Sequence, residues 1–315
     1  PWGERPGPTP DAEQVGGERN WDYRFTWIRD TGFMLRALHG LDLNWEAYEY
    51  FAFILDALGG AGTDQPWDLQ IMYGIRGETD LTEHILDHLT GYRGSRPVRI
   101  GNGAFDQRQH DVWGMLFDSV EEHLRHGGQI APTVWEQMAG LVDTAIQRSA
   151  DPDQGIWEMR GEPKDFVASK VLCWVAADRG ASLAERRGDD ARAQRWRAAS
   201  VEIAQEICER GVDDRGVFTQ HYETTDLDAS LLLIPIMGFL PPDDERVRAT
   251  VLAIADELTE DGLVLRYRVD RTDDGLSGEE GTFTICSFWL VSALAMIGEI
   301  EAANALFNKL LSFAG

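Results

Sequence analysis

Two stretches of the chain carry no charged residue: ASLLLIPIMGFL at 229–240 and TFTICSFWLVSALAM at 282–296. A helix that is apolar on every side has to be surrounded by protein. Their neighbours at 191–210 and 245–260 are amphipathic, with one apolar stripe and one charged face. Buried helices alternating with half-exposed ones predict two layers, an inner ring wrapped by an outer ring. A plain helical bundle would make every helix amphipathic. The expected fold class is therefore all-α, an α/α barrel. Helical spacing predicts helices at 25–38, 45–58, 81–89, 107–124, 133–147, 166–186, 190–208, 230–239, 245–258, 284–297 and 301–313. Asn44 and Asp244 stand where caps belong, and Gly59, Gly127 and Gly211 follow helix ends. Pro235 should kink the helix it sits in.

Residues 1–19 are rich in Pro and Gly without an apolar period and read as a linker, leaving 20–315 as one helical domain. The balance of 29 basic and 54 acidic residues gives a formal net charge of −25. That charge repels phosphate backbones, so no nucleic-acid partner and no anionic membrane partner is expected. No apolar run is long enough to span a bilayer. The three cysteines, Cys173, Cys208 and Cys286, stand far apart, with neither metal spacing nor a disulfide framework. They fit a reducing, cytoplasmic compartment. Lysine occurs only at 164, 170 and 309, a skew that fits either a high-salt habitat or a GC-rich genome. Oligomeric state is not legible.

In a barrel of this kind function belongs to the loops at one end. The segment NWDYRFTWIRD (20–30) packs aromatics with Asp22, Arg24, Arg29 and Asp30. Sugars present apolar C–H faces and a rim of hydroxyls, and such a segment offers aromatic platforms beside multidentate polar groups. A helix start with a structural Arg–Asp pair explains the same residues. In GIWEMRG (155–161), Glu158 follows Trp157. A carboxyl pressed against an indole should be poorly solvated, keep its proton and hand it to a leaving oxygen. A surface glutamate paired with Arg160 is the alternative. The Gly-rich stretch GSRPVRIGNG (94–103) lacks the Lys-Ser/Thr ending of a P-loop and reads as a pocket-lining loop. Glu279 and Glu280, just before the second charge-free stretch, either cap its helix or line the pocket. His84 and His88 have the i, i+4 spacing of helical metal ligands, but no third ligand accompanies them, so no metal is expected.

Taken together and in order, NWDYRFTWIRD, GYRGSRPVRIGNGAFDQRQHD, GIWEMRG with FVASKVLCWVAADRG, and LRYRVD with GEEGTFTICSFWLVSAL resemble glycoside hydrolase family 15, the glucoamylase and trehalase family, in its bacterial branch. The resemblance runs from about residue 16 to the end of the chain. It implies an (α/α)6 barrel, no cofactor, and inverting hydrolysis of a small α-glucoside or oligosaccharide from its non-reducing end. In that chemistry one carboxylic acid protonates the leaving oxygen while a second carboxylate, roughly 6.5–9.5 Å away, activates water on the opposite face. Carried over residue by residue, the resemblance makes Glu158 the general acid. It places Tyr23, Trp27, Arg29 and Asp30 around the glucose, with Trp157, Arg160 and Arg266 as further substrate-binding walls.

The family's base follows the last outer helix, in a segment leading into a final inner helix, and no such segment is present before Gly315. The expectation is a barrel missing its last inner helix, with the base beyond Gly315 and apolar flanks of the 284–297 helix uncovered. Glu280 is a weaker stand-in, because its flanks match a different family loop. The β-sandwich that usually precedes the linker in the bacterial branch is also not seen. A methionine and an arginine follow the acid (Met159, Arg160) where starch-active members have a second acidic residue, which favours trehalose or a short α-glucoside. A non-catalytic carbohydrate-binding protein on the same scaffold and an unrelated α/α barrel enzyme are the other readings. An epimerase of the latter kind would want pocket histidines.

Overall fold

The computed structural model describes residues 16–17, 20–60, 69–272 and 281–313. The chain divides into two compact units, Pro1–Arg108 with Glu122–Gln129, and Gln109–Glu121 with Ile130–Gly315.

In the first unit, helices α1 (Ile28–Gly40) and α2 (Asn44–Gly60) form a hairpin. Strand β1 (Thr26–Trp27) runs straight into α1 and pairs antiparallel with β2 (Met72–Tyr73), with Trp27 opposite Met72. A second short ribbon joins β3 (His84–Ile85) to β4 (Arg99–Ile100), with His84 opposite Ile100.

That ribbon corrects the helix expected at 81–89. Leu81, Ile85 and Leu89 repeat at helical spacing, yet the segment is extended and turned. The backbone of Gly101, at φ +77°, passes so close to it that a Cβ there would lie 2.1 Å from the Thr82 carbonyl oxygen. Extended pairing, with Asn102 N donating to the Leu81 carbonyl at 2.9 Å, outweighs the helical pattern. His84 and His88 therefore share no helix face. Among the described residues no group of three His, Cys, Asp or Glu is placed to hold a metal ion.

The second unit is built from helices α3 (Asp111–Arg125, whose last turn belongs to the first unit), α4 (Trp135–Arg148), α5 (Val167–Arg187), α6 (Asp190–Arg210), α7 (Leu233–Ile236), α8 (Glu245–Glu257), α9 (Thr284–Met296) and α10 (Ile300–Leu311). A ribbon of β5 (Thr259–Glu260) and β6 (Leu263–Val264) follows α8. Helix α6 shows the amphipathic pattern plainly. Ala193, Trp196, Ser200, Ile203 and Ile207 alternate steps of three and four and are its buried stripe. Asp189 caps α6, accepting from Arg192 N at 3.2 Å, and Asp244 caps α8 in the same way. Helix α5 closes on Gly188 in the left-handed region at φ +74°, where glycine is unstrained.

Helix α5 is buried on nearly every side although it carries charges, because the charges are satisfied. Lys170, 2% exposed, donates to the carbonyls of Ser149 and Asp151, both at 2.7 Å, and pairs with Asp165 at 2.8 Å. An uncharged sequence is thus not a necessary sign of a buried helix here. The charge-free stretch 229–240 is buried as expected but is broken into a 3-10 turn, Ala229–Leu232, and the single helical turn of α7, which contains Pro235. Helix α9 departs from full burial: Phe288 and Met296 are exposed. No helix among the described residues is long and apolar enough to cross a membrane.

Candidate active site

The loop that carries Glu158 is closed at its neck. Asp153 N donates to the Lys164 carbonyl at 3.0 Å and Lys164 N returns the bond at 2.9 Å. The Asp153 carboxylate, fully buried, accepts from His110 N at 2.8 Å and from Gly155 N. Gly155 sits at φ +68° with a Cβ-sized gap to the Phe166 ring of only 2.9 Å, so no larger residue fits that bend. Beyond it Met159 N donates to the Gln154 carbonyl at 3.1 Å. Between these anchors Glu158 adopts φ +56°, a conformation that a residue with a Cβ holds only where its surroundings dictate it.

Burial drives Asp153 up to about 6, against the hydrogen bonds that favour its charged form. A carboxyl raised in the folded state stabilises the fold below its ordinary 3.8, and that stability is lost as pH rises through about 6. At about 1.4 kcal/mol per pH unit the difference is about 3 kcal/mol. Asp153→Asn should therefore gain about that much stability relative to the wild type between pH 4 and pH 7, read by urea unfolding at the two pH values. A stability gap that does not change with pH would contradict this.

Trp157, adjacent to the glutamate, is buried in an aromatic nest. Phe283 meets it edge-on at 5.9 Å between ring centroids, and Trp289 of α9 lies at 5.9 Å. The Arg266 guanidinium stands 5.5 Å from the Trp157 ring, 5.8 Å from Tyr267 and 5.2 Å from Phe283. The indole Nε1 donates to Asp228, 2.8 Å from Oδ1 and 3.0 Å from Oδ2. Burial pushes the Asp228 carboxyl up, opposed by the donors Ser230, Trp157 and Gln220. Sequence analysis named Trp157, Glu158 and Arg266 as candidates, and Trp157 and Arg266 lie against each other. Glu158 is half-buried and Arg160 is exposed. Asp228 and Asp153 were missed.

In the first unit, Trp27 is buried at the junction of β1 and α1. The Arg29 guanidinium lies 4.9 Å from its ring and 3.2 Å from the Asp30 carboxylate, so Arg29 is flanked by an indole face and a carboxylate. Asp30 and Tyr23 are exposed. Asp22 and Arg24 instead form a structural pair, with Nε and Nη2 both 2.7 Å from the carboxylate. Burial raises Asp22, but Arg24 and Gly101 N outweigh it and hold the carboxyl below its usual range. Arg99 stands 4.6 Å from the Trp21 ring and donates to the Asn20 carbonyl at 2.9 Å. Glu280 lies outside the described residues.

The model of glycosyl hydrolases family 15 matches residues 5–315, and the chain belongs to that family. A trehalase of Mycobacterium tuberculosis is 60% identical over 302 residues, covering 96% of this chain and 44% of that protein. A trehalase of Thermoplasma volcanium is 38% identical, covering 96% of this chain and 47% of its own length. The chain thus spans about half the length of the curated relatives it matches. The glucoamylase of Saccharomycopsis fibuligera superposes with a TM-score of 0.61 at 12% identity, covering 86% of this chain and 63% of that one. That likeness is one of fold. It bears out the all-α, (α/α)6 barrel class expected from the sequence.

Proposed function

We propose that the protein is an inverting, exo-acting α-glucoside hydrolase whose substrate is trehalose, with residues 20–315 belonging to its catalytic barrel. The observation that carries this reading is the placement of Glu158: half-buried, fixed in an unusual backbone conformation on a loop closed at its neck, and adjacent to an indole that is itself hydrogen-bonded and stacked. A carboxylic acid so held can protonate the glycosidic oxygen as the C1–O bond breaks. Water then adds to the opposite face of C1 and gives its proton to a second carboxylate. Trp157 and Arg266 serve as walls for the sugar, and Arg160, being exposed, contributes at the rim. Tyr23, Trp27, Arg29 and Asp30 supply an aromatic face and bidentate groups suited to glucose hydroxyls. The choice of trehalose draws on the names of the relatives at 60% and 38% identity. The three free thiols are compatible with a cytoplasmic setting.

The test is incubation of the full-length protein with trehalose and, separately, with maltose. The reading expects glucose release from trehalose at the higher kcat/KM. Binding of trehalose without release would favour the non-catalytic carbohydrate-binding alternative and overturn it.

A further inference from the structure

We propose that Asp228 is a positioning residue for the reaction: its side chain fixes the indole beside Glu158 while its backbone fixes the segment that carries Arg266. The inference rests on the reading of Glu158 as the acid. Asp228 is 2% exposed and lies 71 residues from the tryptophan it holds. Both carboxylate oxygens face the indole Nε1, at 2.8 and 3.0 Å. Oδ1 also accepts from Ser230 N at 2.7 Å, and Oδ2 accepts from Gln220 Nε2 at 3.0 Å. Donors on three sides leave the carboxylate little freedom to rotate, so the indole has a stationary acceptor rather than a mobile one.

The backbone of the same residue makes the second connection. Asp228 forms an isolated antiparallel bridge with Tyr267, and Ala229 N donates to the Arg266 carbonyl at 2.8 Å. The arginine and the tryptophan that stack on each other are thus tied to one residue, one through the main chain and one through the side chain. Glu158 is covalently next to the anchored indole and sits at φ +56°, a conformation held only while its neighbours hold it. Freeing the indole therefore moves the acid. Asp228 touches no reacting atom in this account; it acts through Trp157 and Arg266.

The experiment compares two substrates. Trehalose needs its leaving oxygen protonated, whereas α-glucosyl fluoride loses fluoride without help from an acid. A misplaced acid should harm the first reaction and largely spare the second, while a general loss of structure harms both. In the full-length protein, Asp228→Ala is expected to lower kcat on trehalose by about 100-fold, the scale of a displacement near 1 Å. The loss on the fluoride should be far smaller. Asp228→Asn keeps one acceptor oxygen for the indole and should recover most of the trehalose rate. Trp157→Phe keeps an aromatic wall for the sugar but lacks the N–H, so its loss should fall far more heavily on trehalose than on the fluoride, and adding Asp228→Ala to it should cost little more.

Equal losses on the two substrates, a wild-type trehalose rate in Asp228→Ala, or losses that multiply in the double variant would each overturn the inference. If Asp228→Ala does not fold, Trp157→Phe and Asp228→Asn decide alone: a selective loss in the first with recovery in the second supports the inference, and its absence overturns it. A wild-type protein inactive on both substrates would overturn the functional reading, and this inference with it. An active wild type with non-selective variants overturns this inference only.

Discussion

Glu158→Gln is expected to abolish glucose release from trehalose, with kcat falling by about 1,000-fold or more, within the range a positioned general acid supplies. The amide has the size and shape of the acid but no proton to give at neutral pH, so the half-buried site and the closed loop around it are left intact. Trehalose affinity should therefore stay near the wild-type value, measured by calorimetry on the full-length variant. The loss is specific to substrates with poor leaving groups. α-Glucosyl fluoride should still be hydrolysed at a substantial fraction of the wild-type rate. A variant that cleaves trehalose normally would remove Glu158 from its role. A variant that loses both substrates equally would make Glu158 the base rather than the acid.

The second large effect concerns stability. Trp196 is the largest fully buried side chain among the described residues. It stands on the buried stripe of α6, with Trp135 edge-on at 6.0 Å and its Nε1 donating to Asp143 of α4 at 2.6 Å. Close approach of α4 and α6 to α5 is permitted by Gly180, where a Cβ would meet Val142 at 2.6 Å and the Trp196 ring at 3.4 Å. A smaller residue at 196 cannot be replaced by inward collapse of three helices, so a cavity remains. Trp196→Ala should cost about 4 kcal/mol of unfolding free energy by urea titration. Trp196→Phe, which fills most of the space and loses one hydrogen bond, should cost about 1 kcal/mol. A loss below about 1 kcal/mol in the alanine variant would contradict the packing described here.

What could be read from the sequence depended on the range of the interaction. Local pattern announced α5, α6, α8, α9 and α10, and the capping aspartates before α6 and α8 stand where the chain begins those helices. The same pattern misled at 81–89, because leucines and an isoleucine at steps of four fit a helix as well as a turned segment. The deciding contact there comes from Gly101, on another stretch of chain. At the site, Glu158 and Trp157 were visible because they are neighbours in sequence and belong to a recognisable motif. Their relation to Arg266 became readable only through resemblance to a family. Asp228 gave a local signal for only half of its work. An aspartate two residues before a serine at the head of an apolar run suggests a cap, and Ser230 N does donate to it. Nothing local announces an indole arriving from 71 residues away. Asp153 was hidden for the same reason, since its burial is created by α5 and by the chain at His110.

The central claim is inversion by protonated departure, and the anomers of the product report on it. Trehalose joins two α-linked glucoses. If Glu158 protonates the bridging oxygen and water attacks C1 from the opposite face, the departing sugar leaves as α-glucose and the attacked one becomes β-glucose. Proton NMR of the full-length protein acting on trehalose, recorded before mutarotation, should show the two anomers forming in equal amounts. Formation of α-glucose alone would mean retention and would contradict the account.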